Sequence, residues 1–316
     1  MRASNILKED FMCQGLKSFL GLSVVLGLTA IPSAAAGSAV PGMLNYVEGQ
    51  VTMAGQPVTS KSVGSMQLEP TEVMETKQGR AEILLTPGVF LRIGDQSSVR
   101  MISPSLADTR VQLLRGEAIV EAAQIFDDSN IRVQVDGASA KLTKLGLYTF
   151  DADSGRISVF DGKAVVVKDD QQIDLKKGRQ VALARPLQAT HFDTKVAERQ
   201  DPLYAWSRLR AEYDSEAAMQ SAGTVVVDGP GWWGPGWYWN PWWGMYSFLP
   251  GSGILYSPFG WPYYSPVVVY SAPAFRYGYG RPFGRGYVGR GFVGGGPAFR
   301  SGGFAARGVG GGFHHR

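Results

Sequence analysis

The sequence predicts an all-β domain, a sandwich, roll or short β-solenoid of many short strands, followed by one amphipathic helix and a low-complexity disordered tail. Three observations carry that reading. Short apolar alternations, each broken by glycine or Asp/Asn, recur roughly every 8 to 12 residues as far as Leu183. One stretch then takes helical spacing. Beyond it, Gly, Pro, Trp, Tyr and Arg dominate.

Taken in order, the first element is an export signal. An apolar run from Phe19 to Ile31 follows Lys8 and Lys17 and leads into Pro32-Ser33-Ala34-Ala35-Ala36-Gly37. A basic start, a short apolar run and small residues predict a secretory signal over residues 1–36, cleaved after Ala36. The run is shorter than the roughly 20 residues needed to span a bilayer. Glu9 and Asp10 are unusual in such a start, and translation from Met12 would remove them. The alternative reading is an uncleaved membrane anchor. Cys13 is the only cysteine and precedes the cleavage point, so no disulfide or cysteine-based metal site is expected.

Residues 42–190 read as the β domain. Its centre is YTFDADSGRISVFDGKAVVV, from Tyr148 to Val167, in which Gly155 and Gly162 separate short strands. Upstream, Ala81, Ile83 and Leu85 share one face of a strand. Thr86-Pro87-Gly88 turns the chain, and Val89, Leu91 and Ile93 return as the other arm of a hairpin. The same grammar predicts three more hairpins. Val111 and Leu113 lead through Arg115-Gly116 to Ala118 and Val120. Ile131, Val133 and Val135 lead through Asp136-Gly137 to Ala138, Ala140 and Leu142. Ile173 and Leu175 lead through Lys176-Lys177-Gly178 to Val181 and Leu183. Buried helices are a poor alternative, because no run reaches helical length and β-branched residues dominate.

A helix is expected over 202–221. Asp201 suits the cap and Pro202 the first helical position; Leu203, Trp206, Leu209 or Arg210, Tyr213 and Ala217 recur on one face, and Gly223 is the expected stop. Residues 224–275 are rich in Trp, Tyr, Pro and Gly, and their prolines forbid a continuous helix or a central strand. Residues 276–316 carry Arg, Gly and aromatics too sparsely apolar to offset ordering entropy, and are expected to be disordered. Residues 229–316 hold seven arginines and no acid, whereas the rest of the chain holds 24 basic and 27 acidic groups. A mildly acidic body thus joins a cationic tail suited to anionic surfaces.

The series YVEGQVTM, QGRAEILLTPGVFLRIGDQSSVRMI, VQLLRGEAIVEA, LGLYTFDADSGRISVFDGKAVVV and LKKGRQVAL resembles the FecR domain family over residues 42 to 185. Leu147 stands where that family's pattern usually has threonine. The helix DPLYAWSRLR with its Trp/Gly/Tyr continuation is similar to the tails of secreted FecR-domain proteins. The resemblance implies an all-β extracytoplasmic module that binds or transmits, with no catalytic residues to carry over. Well-known members control a cytoplasmic sigma factor through an N-terminal domain that is not recognisable here, so sigma-factor antagonism is not carried over with the resemblance.

Chemistry-bearing patterns are sparse. The histidines are His191, His314 and His315, with no ligand spacing around them, so no metal or cofactor is expected. There is no G-x-S-x-G motif and no glycine loop at a strand-to-helix junction. Asp127-Asp128 and Asp169-Asp170 read as solvated turns, and the chain is not expected to be an enzyme. The expected function is a non-enzymatic binding or signalling module of the cell envelope. Trp232, Trp233, Trp237, Trp239, Trp242 and Trp243, with Arg281, Arg285 and Arg290, are the expected contact residues. Their partner would be an envelope component: a protein, an anionic polysaccharide or a lipid surface. Two alternatives remain open for the tryptophans, folding back over the β domain and self-association. A further alternative is regulation of sigma-factor-dependent expression through an inner-membrane partner. RYGYGRPFGRGYVGRGF also suits nucleic acid, but only in a protein that is not exported.

Overall fold

The computed structural model describes residues 39–184, 186–227 and 234–271. The expected signal and the Arg/Gly tail lie outside these residues. The strands are β1 (Leu44–Met53), β2 (Gln56–Val58), β3 (Val73–Thr86), β4 (Val89–Ile93) and β5 (Ser98–Pro104). Next come β6 (Asp108–Arg115), β7 (Glu117–Ala122), β8 (Asn130–Val135), β9 (Ala138–Leu142) and β10 (Gly146–Asp151). The series ends with β11 (Arg156–Asp161), β12 (Lys163–Lys168), β13 (Gln171–Lys176), β14 (Arg179–Ala182) and β15 (Ala189–His191).

All fifteen strands join one sheet, in the order β13-β12-β9-β8-β6-β5-β3-β4-β7-β10-β11-β14-β15, with β1 and β2 beside β3. Ladders are antiparallel except for β6 with β8, which is parallel. The β13 end comes back against β11, β14 and β15, so the sheet rolls until its edges nearly meet. The inward residues fill the roll as one cluster that includes Ile83, Leu91, Val120, Tyr148, Phe150 and Val166. Each such side chain contributes about 1.5–3 kcal/mol by leaving water, which makes the roll, and not any single hairpin, the stable unit.

The hairpins expected at β3–β4, β8–β9 and β10–β11 form, with the expected residues on the buried face. Three other junctions differ from the sequence reading. At Gly116 the chain leaves β6, which pairs with β5 and β8, and enters β7, which pairs with β4 and β10. At Gly162 it passes from β11 to β12, and at Gly178 from β13 to β14; neither pair shares a ladder. These glycines have φ of +73°, +97° and +72°, which lets the chain turn sharply into a different region of the sheet. Alternation reports which face is buried. It does not report which neighbour a strand joins.

Two helices follow, α1 (Thr194–Gln200) and α2 (Pro202–Val227). The Asp201 carboxylate caps α2 as expected, accepting from the backbone N–H of Leu203 at 2.7 Å and Tyr204 at 3.1 Å. The helix does not stop at residue 221 or at Gly223. Ala218, Ala222 and Val225 pack on the C-terminal segment, and that burial outweighs the roughly 1 kcal/mol that a helical glycine costs. After α2 come the hairpins β16 (Gly236–Asn240) with β17 (Met245–Leu249) and β18 (Ile254–Tyr256) with β19 (Pro262–Tyr264), then α3 (Pro266–Ser271). Pro235, Pro241 and Pro250 flank the ladder of the first hairpin, and Pro262 opens its strand, so no paired N–H is lost inside a strand. Together with α2 these elements form a cap over the outer face of the roll.

The corners give a direct test. A methyl on Gly162 would meet the Tyr148 hydroxyl and stand 2.7 Å from the Leu145 carbonyl, whereas one on Gly155 finds nothing nearer than 3.6 Å. Gly162→Ala should lower unfolding free energy by about 3 kcal/mol or more and Gly155→Ala by about 1. Guanidinium denaturation measures both; equal losses would contradict the tight corner at Gly162.

Candidate functional site

Because Val89, Leu91 and Ile93 point into the roll, Phe90 and Arg92 must point out of it. They are nevertheless fully buried, because the cap covers them. Arg92 Nε donates to Glu82 Oε2 at 2.7 Å, Nη1 donates to Glu121 Oε2, and Nη2 donates to Asp214 Oδ2 at 2.8 Å. Glu82 is directly across the β3–β4 ladder from Arg92, and Glu121 is across the β4–β7 ladder from Phe90. Asp214 comes from α2. The same helix supplies Arg210, whose Nη2 donates to Glu82 Oε1 at 3.0 Å and Asp214 Oδ1 at 2.9 Å. Asn45 Nδ2 donates to Glu82 Oε1 at 2.9 Å, and the Ser257 hydroxyl donates to Glu121 Oε1.

Two guanidinium groups therefore face three carboxylates with no solvent access. Burial opposes ionisation of Glu82, but Arg210 and Arg92 together hold its pKa down to about 2. Burial, reinforced by the neighbouring charge of Glu82, pushes Asp214 up to about 8.

Beside this seam runs an acidic groove. Two adjoining clefts of about 440 and 530 Å³ share Glu117, Asp151, Pro202 and Leu203. One reaches under α1; the other opens toward Asp95 and Asp153. Burial, and next the charges of Asp201 and Asp151, raise the pKa of Glu117. Arg156 and Arg80 reach the walls, and Arg156 Nη2 is 3.1 Å from Asp151 Oδ2. Among the described residues no group of three His, Cys, Asp or Glu is arranged to hold a metal ion. The groove offers carboxylate acceptors to an amine or guanidinium group.

The expected contact residues divide. Trp237 packs edge-on against Phe90 at 5.0 Å and Phe248 at 5.9 Å, and Trp239 packs against Tyr246 at 5.1 Å with its ring over Gly64, so both hold the cap to the roll. Trp242 is 80% exposed and Trp243 is 39% exposed, at the tip of the β16–β17 hairpin. Asn240 fixes that tip. Its Oδ1 accepts from the N–H of Trp242 at 3.0 Å and Trp243 at 3.1 Å, and its Nδ2 donates to the Ala217 carbonyl of α2 at 3.0 Å. Trp232, Trp233, Arg281, Arg285 and Arg290 lie outside the described residues. His191 is exposed on β15.

The seam was not found from the sequence. Arg92 in VFLRI reads as a solvated outer residue, and the helix reads as amphipathic with either Leu209 or Arg210 on its buried side. The structure buries Arg210 and leaves Leu209 45% exposed. One signal was present: Leu84, Phe90 and Ile119 are large apolar residues on the outward side of three adjacent strands, which requires something to cover them.

Residues 72–165 match the family described as FecR protein. The chain carries a FecR domain. The matched span begins at β3 and ends within β12. It contains Glu82, Arg92 and Glu121, whereas Arg210 and Asp214 lie beyond it, so the ion cluster joins the FecR domain to the segment that follows. A comparison with curated proteins found no match. Two crystal structures of a candidate anti-sigma factor from Parabacteroides distasonis ATCC 8503 are similar. One, at 2.50 Å, shows 17% identity and a TM-score of 0.34 over 40% of this chain and 62% of its own. The other, at 1.65 Å, shows 15% identity and a TM-score of 0.36 over 43% of this chain and 64% of its own. The chain spans less than two thirds of either.

The ion cluster sets a pH dependence. Asp214 has a folded-state pKa of about 8 against an ordinary 3.8, so the stability tied to its proton is complete below 3.8 and lost as pH rises through 8. Glu82 acts oppositely, losing its contribution as pH falls from 4.5 toward 2. Between about pH 4.5 and 8 unfolding free energy should therefore fall as pH rises, and level off above 8. Guanidinium midpoints at pH 5.5, 7 and 9 check this, and Asp214→Asn should flatten the profile. Rising stability across that window would refute the assignment.

Proposed function

We propose that the chain is a non-enzymatic, extracytoplasmic binding or signalling module of the bacterial cell envelope. The FecR domain is its scaffold and the exposed aromatic edge of the cap is its contact surface. The observation that carries this reading is the hairpin tip at Trp242 and Trp243. Leaving Trp242 in water forfeits the roughly 25 cal/mol per Å² gained by burying apolar surface. Here Asn240 fixes the backbone of the turn that carries the exposed ring, against a helix that is itself anchored by buried ion pairs. A contact residue on an already ordered turn can bind without the cost of ordering its backbone. Trp243 lies 5.7 Å from Tyr213, which extends the aromatic surface onto α2. The secretory signal read over residues 1–36 supports an envelope location.

A second reading is favoured by the FecR domain itself. As part of a regulatory relay, the chain would act through an inner-membrane partner on sigma-factor-dependent expression, with the acidic groove as the face offered to that partner. Transcript profiling of a deletion strain separates the readings, since a relay predicts that one sigma-factor regulon changes.

Trp242→Ala with Trp243→Ala removes the contact surface without touching Trp237 or Trp239, which hold the cap. The double variant should keep its thermal midpoint within about 2 °C. It should also move from the envelope fraction to the soluble fraction. Unchanged fractionation would sink the contact assignment.

A further inference from the structure

On the side of the roll away from the cap, β6 and β8 are the parallel pair. Their sequences are nearly the same: DTRVQL at 108–113 and NIRVQV at 130–135. The ladder sets them in register, so Arg110 lies beside Arg132 and Gln112 beside Gln134. β9 continues both rows, placing Lys141 opposite Arg132 and Ser139 opposite Gln134. These six residues alternate with the buried Val111, Leu113, Val133, Val135 and Ala140, and all six face outward. Beyond β9 the rows run out into Val165 and Val167.

Three cations thus stand on adjacent strands about 4.8 Å apart, and about 7 Å away runs a parallel row of Gln112, Gln134 and Ser139 that ends on β5 at Arg100, opposite Gln112. Like charges directly across a ladder repel. Little within the protein relieves that repulsion. Arg110 pairs with Asp108 at 3.1 Å, and Arg132 Nε donates to the neutral Asn130 Oδ1 at 3.0 Å. Neither Arg132 nor Lys141 forms an ion pair among the described residues. Outside its Arg-rich C-terminal segment the chain is mildly acidic, so the row is not a consequence of overall charge.

We infer that the outward face of β6, β8 and β9 is a binding site for an anionic polysaccharide, laid across the strands. Its carboxylates meet Arg110, Arg132 and Lys141, and its hydroxyls meet Gln112, Gln134 and Ser139. The paired rows favour this occupant over a lipid surface. A row of charges alone would serve head groups, whereas an adjoining row of donors and acceptors matches a polymer that carries hydroxyls beside its acids. The assignment deepens the envelope reading by naming a partner class, and it uses a face distinct from the tryptophan edge.

The test measures binding of polygalacturonate to the full chain, so that the arginines of residues 276–316 contribute equally throughout. Arg110→Gln with Arg132→Gln and Lys141→Gln should weaken binding about tenfold and flatten its salt dependence. A charge-matched control, Lys61→Gln with Lys77→Gln and Lys195→Gln on other surfaces, should stay within about twofold. Gln112→Ala with Gln134→Ala should weaken polygalacturonate while leaving the salt dependence unchanged. Equal weakening by both triple variants would overturn the site, since attraction would then be generic. Row-dependent binding to phosphatidylglycerol vesicles without polygalacturonate binding would overturn the polysaccharide. The Trp242/Trp243 variant should bind polygalacturonate normally, which keeps failure of this site distinct from failure of the aromatic contact.

Discussion

Arg92 is the residue on which the two halves of the protein depend. Its guanidinium has no access to water and three carboxylates around it, from β3, β7 and α2. Withdrawing one of them leaves a buried guanidinium N–H without its partner, a penalty that can reach several kcal/mol and that surface pairs do not impose. The cap therefore cannot lift from the roll by shedding apolar contacts alone. Phe90, Trp237, Phe248 and Tyr263 pack around the cluster and exclude the water that would otherwise weaken it. Charge supplies the register between helix and sheet, and the aromatic side chains supply the area.

The uneven count of acids and cations gives this joint a chemical character. Two guanidinium groups are shared among three carboxylates, and burial together with the neighbouring charge of Glu82 raises the pKa of Asp214 although it accepts from both arginines. Stability and protonation are thereby linked at the point where the FecR domain meets its C-terminal segment. Sheet topology explains why the joint is where it is. Glycine corners at 116 and 162 separate consecutive strands, so that β7 lies beside β4 and β10 beside β7, and with the long strand β3 they form one broad outer wall for α2 to cover.

Three surfaces with different chemistry result: an acidic groove beside α1, an aromatic edge at the hairpin tip, and a cationic and amide face on β6, β8 and β9. Each is held by a different part of the architecture. The groove depends on the α1–α2 junction, the edge on Asn240, and the basic face on an in-register parallel pair. On the proposed reading, separate faces would let the chain engage two partners at once, so that weak contacts at each add to a strong attachment.

The sequence by itself determined the class of fold, the strand faces and the start of the helix. Those features follow from local rules: two-residue alternation selects the buried side of a strand, glycine permits a turn, and Asp201-Pro202 suits a helix start. It also showed the FecR resemblance, because that rests on the order of such pieces. Only the tertiary structure decided which strands pair, that α2 passes Gly223, and that Arg210 rather than Leu209 faces inward. It alone showed that Trp237 and Trp239 are packing residues while Trp242 is free, and that RVQ lies beside RVQ. The physical reason is the same in each case. Pairing, burial of charge and the stacking of a repeat depend on partners distant in the chain, and a charged residue looks alike in sequence whether its counterion is water or a carboxylate 122 positions away.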